Sequence, residues 1–513
     1  MKIKTLAYLV IASAVAYTGA AWYSGYQTQQ WYEAMLEKGN TKIAEELGAY
    51  GLEGFKIVEY KRGIFSSTVT IDMTMHLLPL TDESLSLRFQ DKIEHGPLIW
   101  HGDGFLLQLA NIQGKLLETE DTQHWFSYLK SKNNPTAISY SAALSFSKAV
   151  KGSMAVSEFS SEDKKLYLSG AEYKYEFNFG FSKGKDETAI SQFSMFSGEE
   201  EQLETNNIRL NSNIDNGKLN LNASAKEIVF KKFGELKFRL INPRVSIAMT
   251  DFNLINDEES KASLKYSITG DEIIVGDAVL SKPLLSFEAD KNGTLVDLKH
   301  SLKIDNIKIK NYNSGSLLIN YQMPNLYYQF YSMQQNVFRS PSSQYVVDLD
   351  KILNSEVSFI IDPLTWTNSK GSSSLVLSIT EFTPKTLMLW KVGGPDVIKN
   401  NFPPVQLDLI LVREQVQELL EAVVADNASV KEKMRYYDFW VEHLVSQNLA
   451  SNKEDVLSIH WKFKEGVLSS QEQDIPVDAF ILLMQKASLQ QSLVIDYSKQ
   501  DEANLDMEHY TEE

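Results

Sequence analysis

From Phe55 to about residue 320 apolar side chains recur at every second position, and this alternation constrains the architecture more than any other feature of the chain. In Thr68–Leu77 the odd positions are Val69, Ile71, Met73, Met75 and Leu77, while the even ones are Thr, Thr, Asp, Thr and His. Successive strand side chains point to opposite faces, so one face here is apolar and the other is wet. The pattern returns at Tyr173, Tyr175, Phe177 and Phe179, at Ile208, Leu210 and Ile214, and at Leu219, Leu221, Ala223 and Ala225. Asp215-Asn216-Gly217 separates the last two runs, and Asn292-Gly293 repeats the signal; Asn-Gly suits a two-residue hairpin, whose turn positions need positive φ. These are antiparallel strands covered on one side. They exceed what a small sandwich can use, so a second sheet, the few helices or a lipid must cover the apolar face.

The N-terminus reads differently. Lys2 and Lys4 precede an uncharged stretch from Thr5 to Tyr23, and no further acid or base occurs before Glu33. About twenty such residues are needed to cross a bilayer as a helix, and lysines in front hold the N-terminus in the cytoplasm. Ala12-Ser13-Ala14 is an alternative signal-peptidase site, but it lies inside the apolar run rather than after it. The run closes with Trp22, Tyr23 and Tyr26, aromatics suited to a membrane interface. The expected result is a retained single-pass anchor in the inner membrane with the bulk of the chain periplasmic.

The predicted fold class is α+β, predominantly antiparallel β with an N-terminal transmembrane helix and a helix-containing C-terminal third. The expected organisation is an anchor (1–26), an amphipathic helical connector (27–54, broken at Gly39-Asn40), a β-rich domain (55–325), a mixed α/β region (326–500) and an acidic tail (501–513). Past a turn at Pro324, Leu326–Phe338 and Tyr345–Leu353 read as helical and Val357–Ile361 and Ser374–Ile379 as strands. Val412, Val416, Leu419, Leu420 and Val423 form one helical stripe. Val430, Met434, Tyr437, Val441, Leu444 and Val445 form another, opened by a capping box at Ser429 and Glu432. Leu457, Ile459, Trp461 and Phe463 then point inward from a strand that ends at Glu465-Gly466.

The absence of cysteine excludes disulfides, thiol nucleophiles and thiolate metal sites. A net charge of −17 argues against nucleic acid and against broad contact with anionic headgroups.

Tyr60-Lys61-Arg62-Gly63-Ile64-Phe65-Ser66-Ser67, followed by Ile93-Glu94-His95-Gly96-Pro97, resembles the YdgA-like family of bacterial proteins. The resemblance continues through Pro363-Leu364-Thr365-Trp366-Thr367-Asn368, Gly371 and Glu465-Gly466, and so covers most of the chain. It implies an inner-membrane-anchored protein of undefined biochemical role, and it brings no catalytic residues. The positions it marks are Tyr60, Arg62, Gly63, Phe65, Ser66, Ser67, His95, Gly96 and Pro97.

Each of these has a structural reading beside a functional one. His95, with His101 and Asp103 nearby, could hold a metal ion or serve as general base to Ser66 or Ser67. Gly96-Pro97 reads more simply as a turn that His95 caps by bonding to backbone. Arg62 could clamp an anion, but pairing with Glu59 or Glu94 is simpler, with Gly63 allowing a bulge. Trp366 reads as core rather than a sugar platform. His-Glu-x-x-His and Gly-x-Ser-x-Gly do not occur, and Gly102-x-Gly104 lacks the context of a nucleotide loop. No cofactor or metal is therefore expected. The sequence points to a non-enzymatic binding or scaffold module at the membrane, with a lipid or an envelope protein as partner. A hydrophobic-ligand carrier and a His95-dependent hydrolase are the alternatives.

Overall fold

The computed structural model describes residues 2–42, 52–76, 84–101, 104–120, 123, 137–160, 166–178, 182–197, 201–251, 260–327, 349–386, 402–424, 427–470 and 473–488, with helix side chains described from Val15 onward. The protein is predominantly antiparallel β with a few helices. It forms two compact units that divide near Asn253. That division falls inside the expected β-rich domain 55–325, so strand pattern carries no mark of it.

The first unit opens with helix α1 (Lys2–Lys42). The helix continues through Gly39 and Asn40, where the sequence predicted a break. Asn40 Nδ2 donates to the Phe55 carbonyl and its Oδ1 accepts from the Phe55 amide, which ties the helix end to the first strand. Among the described residues no helix is long and apolar enough to cross a membrane. The side chains of Thr5–Ala14, most of the proposed span, lie outside those residues.

Strands β1 (Leu52–Arg62), β2 (Ser66–His76) and β3 (Ser84–His95) follow as a meander. A small separate hairpin, β4 (Leu98–His101) with β5 (Gly104–Leu107), interrupts it. The meander resumes with β6 (Ala110–Leu117), β7 (Ile138–Leu144) and β8 (Val150–Val156). The short strands β9 (Phe159–Ser160) and β10 (Leu166–Leu168) lead to β11 (Ala171–Phe177), which pairs back onto β8. The long strands β12 (Lys183–Ser197) and β13 (Glu201–Asp215) extend the sheet. One half of β13 pairs with β14 (Lys218–Ser224) and the other with β15 (Glu227–Lys232). Strands β16 (Glu235–Ile241) and β17 (Arg244–Thr250) pair onto β15 and β14 respectively. The expected hairpin at Asn216-Gly217 forms, with φ of 47° and 83°.

Helix α1 crosses the apolar face of the first strands. Its contacting stripe is Ala21, Ser24, Gly25, Thr28, Trp31, Tyr32, Met35 and Leu36, at steps of three and four residues. Trp31 and Tyr32 pack on Val69, Ile71, Ile93, Ile112 and Leu144, which is the main core of this unit.

The second unit continues with antiparallel strands. Tyr266, Phe287, His300 and Tyr321 stand opposite one another on neighbouring strands, and their rings form a ladder 4.3–4.9 Å apart. No turn occurs at Pro324: the strand Tyr312–Tyr327 runs through it with a shift in register, so Leu326 and Tyr327 are strand rather than helix. Residues 328–348 lie outside the described ones, and helix α2 covers Leu349–Asn354. Helices α3 (Arg413–Val423) and α4 (Asn427–Ser446) occupy the predicted stripes, and Arg413 and Asp438 join them with two bonds of 2.9 Å. Helix α4 is already formed at Ser429, so the capping box does not open it. Leu457, Ile459 and Phe463 are buried as expected, and Trp461 packs beside them. Trp366 donates from Nε1 to the Ser314 carbonyl.

Candidate functional site

The residues singled out in the sequence come together where α1 crosses β2 and β3. Register explains the convergence: Ser67 stands opposite Ile93, and Val69 opposite Asp91. Ser67, Val69 and Ile71 therefore share the inward face with Asp91, Ile93 and His95. His95 Nε2 lies 3.0 Å from Ser67 Oγ, and each residue is only 2% exposed. Burial lowers the His95 pKa, against the opposing pull of carbonyls at Ala21, Ile64 and Ser66, and the ring is held neutral at pH 7. Its Nδ1 has no hydrogen-bond partner.

The helix closes over this pair. A Cβ built on Gly25 would stand 2.6 Å from His95 Cε1 and 2.8 Å from Nδ1, so only glycine lets the helix lie so close. The imidazole does not cap the Gly96-Pro97 turn, which is a correction to the expectation. Instead the His95 backbone amide donates to the Phe65 carbonyl, and Gly96 takes the turn at φ 146°. A serine beside a histidine is the spacing of nucleophile and base, but a working pair also needs an orienting group and access to substrate. No side chain orients the ring from Nδ1, and the helix at Gly25 covers it. Ser66 faces the other way and is exposed.

Arg62 does not pair with Glu59 or Glu94. Those carboxylates bond Lys61 and Lys92 at 2.8 Å. Arg62 stands opposite Ser67 and so projects toward α1. Its guanidinium lies 5.5 Å from the Trp22 ring centroid and 5.7 Å from that of Tyr26, and it donates to Gln29 Oε1 at 3.3 Å. Gly63 sits in the hairpin turn and donates to the Ser66 carbonyl; the irregularities of β1 fall at Leu52/Gly54 and Ile57/Glu59. Tyr60 packs edge-on against Tyr32, and burial raises its pKa.

A second constellation escaped sequence reading. The buried Asp91 carboxylate accepts from Tyr32 Oη at 2.6 Å and from Tyr140 Oη. Burial raises the Asp91 pKa while both hydroxyls oppose the shift, and burial with the neighbouring carboxylate raises both tyrosines. Gly114 leaves room for the Tyr140 ring. The legible sign was an acid at an inward position of β3, between Phe89 and Ile93.

Beside Asp91 a cavity of about 250 Å³ lies between helix and sheet, lined by Trp31, Met35, Phe55, Ile112, Tyr175 and Phe177 among others. Tyr175 and Phe177 belong to β11; on β12 the same rows carry Asp186 and Gly184, with Ser212 Oγ donating to Asp186, and apolar side chains resume on β13, β14 and β17. Ile214, Leu219 and Met249 form one row across the last three strands; Ser212, Leu221 and Ile247 form the next. None of these side chains is buried. The wet face behind β3 to β8 holds a concavity of about 680 Å³ that includes Lys92, Gln113, Lys115 and Ser141. Among the described residues no three His, Asp or Glu side chains converge as metal ligands. The His101 side chain and Asp103 lie outside them.

Comparison with known proteins adds a family without an activity. Residues 1–478 match the family described as "Bacterial protein of unknown function (DUF945)". Protein YdgA of Escherichia coli (strain K12) is 22% identical over 396 residues, which is 74% of each chain. No solved structure matches.

Proposed function

The chain belongs to the DUF945 family of bacterial proteins of unknown function, and from that premise we propose that it is a membrane-anchored, non-enzymatic binding protein whose apolar sheet face takes a hydrophobic ligand. One observation carries this reading. The apolar face is covered by α1 over β2–β8 and ends at a cavity bounded by Tyr175 and Phe177; beyond the polar row of β12 a second apolar strip, Leu219, Leu221, Ile247 and Met249, lies outside every buried core cluster. An apolar strip left outside the core marks a binding site more often than idle surface. The anchor is the N-terminal part of α1, supported by the uncharged run behind Lys2 and Lys4, with the sheet on the periplasmic side. A hydrolase reading finds less support, because Ser67 and His95 are sealed beneath Gly25.

The test uses the full chain in cells. Leu221 is replaced by photoreactive p-benzoylphenylalanine, the cells are irradiated, and the purified protein is analysed by mass spectrometry. A lipid-mass adduct is expected. An adduct to protein alone would move the reading to a scaffold for an envelope partner, and no adduct at all would overturn binding on this face.

A further inference from the structure

We propose that the end of the first unit from which α1 projects is a membrane-docking surface, and that Ile64, Phe65, Leu98, Phe105 and Leu107 enter the interface of the bilayer that holds α1. This rests on the anchor reading above and adds a second contact with the same membrane. Three separate segments bring these side chains together. The Tyr17 hydroxyl of α1 donates to the Leu98 carbonyl at 2.7 Å, and its ring stacks on Phe65 at 6.0 Å. Leu98 stands opposite Leu107 in the β4–β5 hairpin, and the His95 amide fixes the turn before β2 by donating to the Phe65 carbonyl. All five side chains are exposed, with Phe105 at 66% and Leu107 at 72%. Buried positions on the same segments, Ile99 and Leu109, show that the hairpin has its own anchorage and need not turn these residues inward.

A lipid surface fits better than a second copy because of what lies beside the cluster. The stripe of α1 that the sheet buries ends at Ala21. The uncharged part of the helix from there back to Thr5 is roughly 25 Å long at 1.5 Å per residue, and Lys2 and Lys4 reaching for the headgroups complete the ~30 Å hydrocarbon core. The cluster thus surrounds the point where an uncharged helix leaves the sheet. Trp22, Tyr23 and Tyr26 are also exposed there, and aromatic side chains concentrate at the membrane–water boundary. Residues 96–109 include no Lys or Arg, and the chain carries −17 overall, so contact is made by apolar insertion rather than by charge. Salt should not release it.

The cysteine-free chain makes the test direct. Phe65→Cys, Leu107→Cys and Phe233→Cys each provide one attachment point for a nitrobenzoxadiazole fluorophore. Phe233, 64% exposed at the β15–β16 turn, is the control, about eight strand spacings or roughly 40 Å along the sheet from β2. Full-length protein is reconstituted into phosphatidylethanolamine–phosphatidylglycerol vesicles with nitroxide-labelled lipid. Loss of emission at 65 and 107, unchanged in high salt and absent at 233, is expected. Vesicle-bound protein with equal emission at all three sites would overturn docking while leaving the anchor intact. Protein that does not float with vesicles would overturn the anchor and docking together. Energy transfer between two labelled copies at 107, without lipid quenching, would assign the surface to self-association instead.

Discussion

Gly25 and His95 meet so closely that a single added methyl would stand 2.6 Å from the imidazole. The ring is buried against Ser67 and has little room to move, so Gly25→Val forces the helix off the sheet. Over-packing of this kind costs about 1–3 kcal/mol, read as a lower urea midpoint. His95→Ala in the same chain should recover most of the loss, which two independent defects would not do. Gly39→Ala, on the same helix but beyond the anchor, is the control: nothing lies within 4 Å of its Cβ, and helix propensity alone should raise stability by up to ~1 kcal/mol.

The same ring makes stability depend on pH. Burial lowers the His95 pKa below the 6.5 of an exposed histidine. Between 6.5 and the lowered native value, the unfolded chain binds a proton that the folded chain does not, so stability is complete above about pH 6.5 and falls as the solution becomes more acidic. The melting temperature should therefore drop between pH 7.5 and 5.5 by more than carboxylate titration explains, and His95→Gln should flatten that drop. His300, also lowered by burial, accounts for the slope that remains. An unchanged slope in His95→Gln would assign the effect elsewhere.

The sheet was legible because alternation at Thr68–His76 or Leu219–Ala223 follows from strand geometry alone. So was the hairpin at Asn216-Gly217, whose backbone needs those residues. The partner of α1 was less so. Its inward stripe begins with Ala21, Ser24, Gly25 and Thr28, small side chains that carry almost no hydrophobic signal and matter for how near they let the helix come. The juxtaposition of Ser67 and His95 depends on the β2–β3 register, and the sequence Leu77-Leu78-Pro79-Leu80-Thr81-Asp82-Glu83 between those strands carries no Asn-Gly signal from which to count it. Arg62 was misassigned for a related reason: the inward row it shares with Ser67 points it at aromatic rings rather than at the carboxylates adjacent in sequence.

Asp91, Tyr32 and Tyr140 form one unit, so their substitutions should not add. Tyr32→Phe leaves a buried carboxylate short of a donor and should cost about 1–3 kcal/mol at pH 7; Tyr140→Phe should cost a similar amount. Each change removes a bond that lowers the Asp91 pKa, which burial has already raised. The double variant should differ from the sum by at least ~0.5 kcal/mol. Asp91 accordingly contributes least stability when ionised, and the penalty in each variant should shrink as the pH falls toward 4 and the carboxyl protonates. Urea titrations at pH 7 and 4 measure both effects. Additive, pH-independent losses would mean that the hydroxyls act through packing alone.

Two aspartate substitutions separate the covered part of the apolar face from the uncovered part. Ile71 is 5% exposed beneath α1, and Ile71→Asp places an unpaired charge among Val69, Ile93 and Trp31. The desolvation cost of several kcal/mol is comparable with the whole stability of a domain, ~5–15 kcal/mol, so the protein should fail to fold or accumulate poorly. Ile247 lies on the same face, but its side chain is not buried. Ile247→Asp keeps its charge within reach of water and should change stability by no more than about 1 kcal/mol. It should nevertheless abolish the lipid adduct at position 221, because Ile247 is the cross-strand neighbour of Leu221 and the charge would enter the path of an acyl chain. Circular dichroism and the crosslink, measured on the same preparation, give the two readouts. A folded Ile247→Asp protein that still yields the adduct would remove this row from the ligand path, and a protein unfolded by that change would show the face to be core.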